Sequence, residues 1–188
     1  MSATKEPATW HWTRETYHQA VELGLFGTSP KVELIRGEIY LKTPMNRPHA
    51  TAVVKSEQVI QTALGETNHV QSQVPIGLST DGEPEPDIAI IIGQPDDYTE
   101  HPTEHDVLLV MEISDSTLAF DKGLKSEVYA EAGIAEYWIL DINARTLEVR
   151  REPHGTIYRS THLYDDTQSA APLAKPDAQI SVAALLPK

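Results

Sequence analysis

The helical spacing of apolar residues predicts three helices along the chain, each followed directly by a glycine. They cover residues 13–23, 49–64 and 119–132. A glycine in this position commonly ends a helix because it adopts the left-handed backbone conformation without steric cost. In the third helix apolar residues recur every four positions, which predicts a buried row of side chains: Phe120, Leu124, Val128 and Ala132.

Runs of β-branched and large aliphatic residues predict the strands. Residues 86–92 and 107–114 are almost continuously apolar, as is typical of central strands covered on both faces. An acidic, proline-bearing loop separates them, and a short strand and turn are expected in the tail. The other predicted strands are a short hairpin at 32–42 turning at Arg36-Gly37, a strand at 69–79, a strand at 136–142, and a final hairpin turning at His154-Gly155.

This order of elements predicts an α/β fold in which helices flank a mixed β-sheet, with a helix and a β-hairpin near the N-terminus. The chain has 188 residues, which suits one domain over 10–188. Residues 1–9 are small, polar and proline-containing, and we expect a flexible N-terminus there.

Composition limits the chemistry. The chain contains no cysteine, so any metal ion must be held by oxygen or imidazole ligands, which favours Mg²⁺ or Mn²⁺. No apolar run is long enough to cross a bilayer and no signal-peptide core is visible, so we expect a cytoplasmic protein that does not bind membranes. The net charge of −13 argues against tight non-specific DNA binding, although bound divalent cations would offset part of it.

Two carboxylates stand out because they lie in apolar strands. Along the strand 107–114, Glu112 shares one face with Leu108, Val110 and Ser114, so its carboxylate would lose hydration unless a cation, a hydrogen-bond donor or protonation compensates. Asp87 begins the neighbouring strand after two prolines. Each has a purely structural alternative: a strand-end hydrogen bond for Glu112, a turn cap for Asp87. Together they supply the two oxygen ligands that a magnesium site needs as a minimum.

The third helix offers a positive charge. Asp121, Lys125 and Tyr129 follow one another at four-residue spacing beside the predicted buried row. Lys125 could therefore extend along the sheet and bring its ammonium to the two carboxylates, where it would orient water or stabilise charge on a phosphate. The alternative is a surface ion pair between Asp121 and Lys125.

Six sequence motifs in order resemble the Uma-type putative restriction endonuclease family, formerly a domain of unknown function, within the PD-(D/E)XK nuclease superfamily. The resemblance extends from about Thr13 to Ile180. The motifs are ELIRGEI (33–39), TPMNRPH (43–49), EPDIAI (85–90), LLVMEISDST (108–117), FDKGLKSEVYAEAG (120–133) and AEYWILD (135–141).

The resemblance implies that Asp87, Glu112 and the backbone carbonyl of Ile113 hold Mg²⁺. The superfamily lysine normally lies two residues after the acidic residue, but this chain has Ser114 there, and a hydroxyl cannot replace an ammonium. In the Uma-type pattern the lysine comes from the following helix, in a D-x-x-x-K-x-x-x-Y arrangement that Lys125 and Tyr129 match.

Two further residues match family positions. Glu33 would add a metal or water contact, and its alternative is an ordinary hairpin residue. His49 would contact a phosphate or leaving group, and its alternative is a local hydrogen bond at the helix start. The remaining histidines show no metal-binding pairing: His11, His18, His69, His101, His105, His154 and His162.

The leading hypothesis is a magnesium-dependent endonuclease that hydrolyses phosphodiester bonds in DNA. The alternative, which the acidic charge favours, is a catalytically inactive binding or scaffold protein that retains the nuclease fold. A nuclease that acts only with a partner protein is a third possibility. A homodimer is expected from related nucleases, because paired sites suit double-strand cleavage.

Overall fold

A six-stranded mixed β-sheet forms the centre of the computed structural model, which describes residues 9–27 and 31–188. All but one residue of the predicted flexible N-terminus lies outside this range. In chain order the elements are α1 (Arg14–Glu22), β1 (Val32–Ile35), β2 (Glu38–Leu41), α2 (Arg47–Leu64), β3 (Asn68–Gln71), β4 (Ile88–Ile92), β5 (Val107–Ser114), α3 (Leu118–Phe120), a π turn (Asp121–Lys125), α4 (Ser126–Glu131), β6 (Glu136–Asp141), β7 (Thr146–His154), β8 (Ile157–Asp165), β9 (Ser169–Ala170), β10 (Ile180–Ser181) and α5 (Val182–Leu185).

The sheet order is β3-β4-β5-β6-β7-β8. The β5–β6 pair is parallel and is joined through the helical segment α3–α4, whereas the other neighbours are antiparallel. One face of the sheet packs against α2 and α5, and the other packs against α4. The predicted α/β class, the mixed sheet and the flanking helices are therefore confirmed.

The N-terminal hairpin β1–β2 stands apart from the main sheet. Arg36 and Gly37 both have positive φ, at 49° and 75°, as a two-residue type I′ turn requires. Leu34 forms an isolated bridge with Glu83, which attaches the hairpin to the segment that precedes β4. The hairpin thereby brings β1 against the approach to Asp87.

Two strand predictions needed correction. Of the strand predicted at 69–79, only residues 69–71 pair with β4, together with Asn68 before them, because Gln73 has a left-handed φ of 55° and Pro75 cannot donate to a ladder. In β5, Leu108 packs on the α2 side and not on the face of Glu112, since the β4–β5 register shifts between Ile90 and Ile91.

The third predicted helix is not one regular α-helix. It consists of α3, the π turn and α4, and this changes which side chains are buried. In the predicted buried row only Val128 is fully buried, while Phe120, Leu124 and Ala132 are partly exposed. The polar row at the neighbouring positions is buried instead: Asp121, Lys125 and Tyr129.

The C-terminal segment contains more secondary structure than the strand and turn that were predicted. It forms β9, β10 and the short helix α5, whose Val182 and Leu185 pack into the α2 side of the core. The fully buried Glu136 carboxylate also holds this segment, because it accepts from the Leu173 amide at 2.7 Å and from the Arg151 guanidinium at 2.6 Å.

The loop at 93–106 contains two short 3₁₀ turns, at Pro95–Asp97 and Glu104–Asp106. In the part of the chain that the structure describes, no helix combines the length and apolar character needed to span a bilayer.

Glu148 on β7 gives a pH-dependent contribution to stability. Its carboxylate accepts from Lys122 Nζ at 2.7 Å and Arg150 Nη2 at 2.6 Å. Burial would raise the pKa of Glu148, but the contacts with Lys122 and Arg150 outweigh it and hold that pKa below its usual value. The stabilisation is therefore present above pH of about 4.3, the ordinary glutamate value, and is lost as pH falls through the lowered pKa.

We expect Glu148→Gln to lower the free energy of unfolding by about 1–2 kcal/mol at pH 7, because two cations lose their counter-charge and one of them, Lys122, is solvent-screened. The deficit should shrink below pH of about 4, where the wild-type carboxylate is also protonated. Urea unfolding at both pH values measures this. Glu152→Gln, an exposed change on the same strand, is the control, and an equal deficit for both variants would contradict the assignment.

Candidate active site

Asp87 lies at the point where the chain enters β4. Its Oδ2 accepts from the Ile113 amide at 2.9 Å and lies 3.1 Å from His49 Nε2. An extended residue directs its N–H and C=O to the same strand edge, so the Ile113 carbonyl also faces the edge at which Asp87 lies. Asp87 is therefore fixed between β5 and the first turn of α2.

Glu112 lies beside Asp87 near the end of β5 and is only 5% exposed. Its Oε2 is 3.4 Å from the Asp87 amide nitrogen. Its Oε1 accepts from the Tyr129 hydroxyl at 2.7 Å and lies 3.2 Å from Lys125 Nζ. The two acidic residues predicted from sequence are thus neighbours, and the lysine and the tyrosine of the D-x-x-x-K-x-x-x-Y pattern both contact Glu112.

Lys125 is buried, with 3% exposure, and its Nζ donates to Glu33 Oε2 at 2.6 Å. Glu33 is buried as well and also accepts from the Glu85 amide at 3.2 Å. The reading of Glu33 as an ordinary hairpin residue is therefore wrong. One ammonium joins β1, β5 and the helical segment at a single point.

The alternative of an Asp121–Lys125 surface pair is also wrong. Asp121 is buried and its Oδ2 accepts from the hydroxyls of Ser114 at 2.7 Å and Thr117 at 2.6 Å. Ser114, two residues after Glu112, therefore donates to the Asp121 carboxylate, and the ammonium beside Glu112 comes from Lys125 of the helical segment.

Negative charge dominates the site. Burial raises the pKa of Glu112 to about 8; Lys125 opposes this, whereas the charges of Asp87, Asp121 and Glu33 add to it. Burial would lower the pKa of Lys125, but Glu112 and Glu33 outweigh burial and raise it, so the ammonium stays protonated. The single lysine does not neutralise the surrounding carboxylates.

His49 lies in the first turn of α2, where Asn46 Oδ1 accepts from its amide at 3.0 Å. The helix thus begins two residues earlier than predicted. Burial would lower the pKa of His49, but the hydrogen bond and charge of Asp87 outweigh burial and raise it. The imidazole therefore acts as a partner of Asp87, and its buried Nδ1 has no hydrogen bond among the described residues.

Most of these side chains line one cleft of about 130 Å³: Glu33, His49, Asp87, Glu112, Asp121 and Lys125. Three of its other polar residues were not singled out from the sequence, although the quoted motifs include two of them, Asn46 and Asp115; the third is Gln73. Gln73 Nε2 is 3.4 Å from Asp87 Oδ1, and its left-handed backbone is a local signal visible only in the structure. Asn46 and Asp115 are hydrogen-bonded across the mouth of the cleft.

Asp87 and Glu112 are the residues that could hold a divalent cation. Among residues 9–27 and 31–188, no three His, Asp or Glu side chains are grouped closely enough to hold a metal ion by themselves. Mg²⁺ commonly uses only one or two carboxylates and completes its shell with water and substrate phosphates. The hard oxygen donors and the unneutralised charge around Glu112 fit such an ion.

Comparison with known proteins identifies the fold first. A crystal structure of a putative nuclease belonging to DUF820 from Anabaena variabilis ATCC 29413 matches with a TM-score of 0.62 and 18% sequence identity, over 82% of this chain and 88% of that chain. The two proteins share a fold. The search of curated proteins found no match.

The family follows from the sequence. The family model described as Uma2, putative restriction endonuclease, matches residues 14–183. The chain belongs to this family, which confirms the resemblance found in its motifs.

We expect the Glu33–Lys125 pair to show strong energetic coupling. Removing one partner of a buried ion pair leaves an uncompensated charge, so Lys125→Met should cost about 3 kcal/mol of unfolding free energy and be partly rescued by adding Glu33→Gln. A double-mutant cycle by chemical denaturation measures the coupling. The exposed pair Arg145–Asp166, at 2.7 Å, is the control and should show only about 0.5 kcal/mol. Equal coupling in both pairs would contradict the buried ion pair.

Proposed function

We propose that this protein is a metal-dependent endonuclease that hydrolyses phosphodiester bonds in DNA. The observation that carries the proposal is the contact set around Glu112: Asp87 on one side and the Lys125 ammonium on the other, within one cleft. Family membership supports a nuclease, and the oxygen donors support Mg²⁺ or Mn²⁺. A homodimer would suit cleavage of both strands.

The proposed chemistry assigns separate tasks to the site residues. Asp87, Glu112 and the Ile113 carbonyl would hold Mg²⁺, which when bound supplies polarisation of the phosphate and a lowered pKa for an attacking water. Tyr129 fixes Oε1 of Glu112, and His49 fixes Oδ2 of Asp87, so both carboxylates keep one orientation.

Lys125 would act on the substrate. Its ammonium lies in the cleft wall beside Glu112, where it would stabilise the negative charge that develops on the phosphate oxygens during attack. Glu33 holds the ammonium in place and keeps it protonated. This buried charge is already oriented before substrate binds, so little reorganisation is needed during the reaction.

A catalytically inactive binding protein is the second candidate, and the charge of −13 favours it, because tight contact with DNA phosphates normally depends on many lysines and arginines. Under this proposal the cluster of Glu33, Glu112 and Lys125 only stabilises the fold. Metal binding and cleavage distinguish the two candidates.

We expect the purified protein to cleave plasmid DNA with Mg²⁺ or Mn²⁺ and to lose cleavage in chelator. Asp87→Asn, Glu112→Gln and Lys125→Met should each lower the rate by about 100-fold or more, because each removes a group acting on the transition state. Asp166→Asn, a carboxylate outside the cleft, should cleave normally. Cleavage that persists in Asp87→Asn and Glu112→Gln would reject this site.

We expect divalent cations to raise the melting temperature through the same carboxylates. A ligand at 100 times its dissociation constant stabilises the native state by about 2.7 kcal/mol. Thermal unfolding with and without Mn²⁺ should show a rise in the wild type and in Asp166→Asn but not in Asp87→Asn. If calorimetry detects no Mn²⁺ binding to the wild type, the inactive binding protein becomes the leading candidate.

A further inference from the structure

The helical segment that carries Lys125 is widened over the five residues that end at Lys125. Asp121–Lys125 form a π turn, in which each hydrogen bond spans five residues in place of four. Two carbonyls of this turn accept from side chains of the sheet: Asp121 O from the Tyr137 hydroxyl at 3.0 Å, and Lys122 O from Arg150 Nη1 at 2.9 Å. Arg150 Nη1 also donates to Ser126 Oγ at 2.5 Å.

The π turn changes the direction in which the helix presents its side chains. In a regular α-helix each residue advances by about 100°, so Tyr129 would lie about 80° around the axis from Asp121. A π turn has more residues per turn, so each one advances by less, and this opposes the drift between Asp121 and Lys125. All three side chains are buried toward the sheet.

A π turn is rare and persists only where the surroundings hold it. Tyr137 lies on β6 and Arg150 on β7, so side chains from two strands of the sheet donate hydrogen bonds to successive carbonyls of the turn. Neither residue contacts the Asp87–Glu112 pair through any hydrogen bond or ion pair found in the described residues. Their hydrogen bonds meet the backbone of the π turn, and the Tyr137 ring also packs against the Tyr129 ring, with 5.1 Å between centroids. Tyr137→Phe keeps that ring contact and removes only the hydroxyl, so its effect on the site passes through the helix backbone.

We propose that Tyr137 and Arg150 are positioning residues, which hold the π turn open and thereby place the Lys125 ammonium between Glu33 and Glu112. Their part in the reaction rests on the proposed nuclease function. Their effect on the position of Lys125 is independent of that function, because the contacts of the Lys125 ammonium can be measured in the folded protein without any reaction.

Tyr158 provides a matched control. Its hydroxyl also donates to a backbone carbonyl, that of Ile134 at 2.9 Å, and its ring lies 6.1 Å from the ring of Tyr137 in the same apolar cluster. Tyr137→Phe and Tyr158→Phe therefore remove the same atom and the same kind of hydrogen bond. Of the two hydroxyls, only that of Tyr137 donates to a carbonyl of the π turn.

The experiment compares these two variants by DNA cleavage with Mn²⁺, by melting temperature and by the ¹⁵Nζ NMR signal of Lys125. We expect similar falls in melting temperature. Only Tyr137→Phe should shift the Lys125 signal. It should also lower kcat by about tenfold or more while KM stays nearly unchanged, because a misplacement of about 1 Å can lower the rate by about 100-fold. Arg150→Lys, which keeps a charge beside Glu148 but loses the planar fork, should act in the same direction.

The proposal is overturned if Tyr137→Phe and Arg150→Lys leave the Lys125 signal and kcat as they are in Tyr158→Phe. Should Tyr137→Phe fail to fold, Arg150→Lys decides the question by the same two readouts. A wild type that binds Mn²⁺ but never cleaves DNA would refute the nuclease function alone, and the Lys125 signal would still test the positioning role.

Discussion

The rest of the site depends on the buried ion pairs that the Lys125 ammonium forms with Glu33 and Glu112. Burying three ionisable groups is costly unless their charges compensate one another. Removing any one of them therefore leaves another buried charge without a partner. These three side chains thereby fix the N-terminal hairpin and the helical segment against β5. It also leaves an excess of negative charge that a divalent cation would reduce.

The sequence was sufficient for the sheet, the flanking helices and the acidic pair, because apolar strands and glycine caps are local signals. Glu112 stood out as a carboxylate in a strand that is otherwise apolar. Helix spacing left Lys125 open between the site and a surface ion pair, and the family pattern favoured the site. Four-residue spacing grouped Asp121, Lys125 and Tyr129 on one face, but it assigned burial to the neighbouring row that begins at Phe120.

What could not be predicted depends on contacts between distant segments. No local pattern shows that His49 pairs with Asp87 or that Gln73 enters the cleft, because loop geometry decides both. The π turn was equally hidden, since its carbonyls are held by Tyr137 and Arg150 from strands that follow in the chain. The fold is thus largely encoded by local periodicity, and the site by long-range packing.

The hydrogen bond between Lys125 and Glu33 joins residues 92 positions apart. A contact of such separation closes a long loop, and its entropic cost is met only when the chain between is already compact. During synthesis the hairpin emerges long before the helix that supplies its cation, and until then Glu33 must stay hydrated. We therefore expect the site to be completed only after the chain between these two residues has become compact.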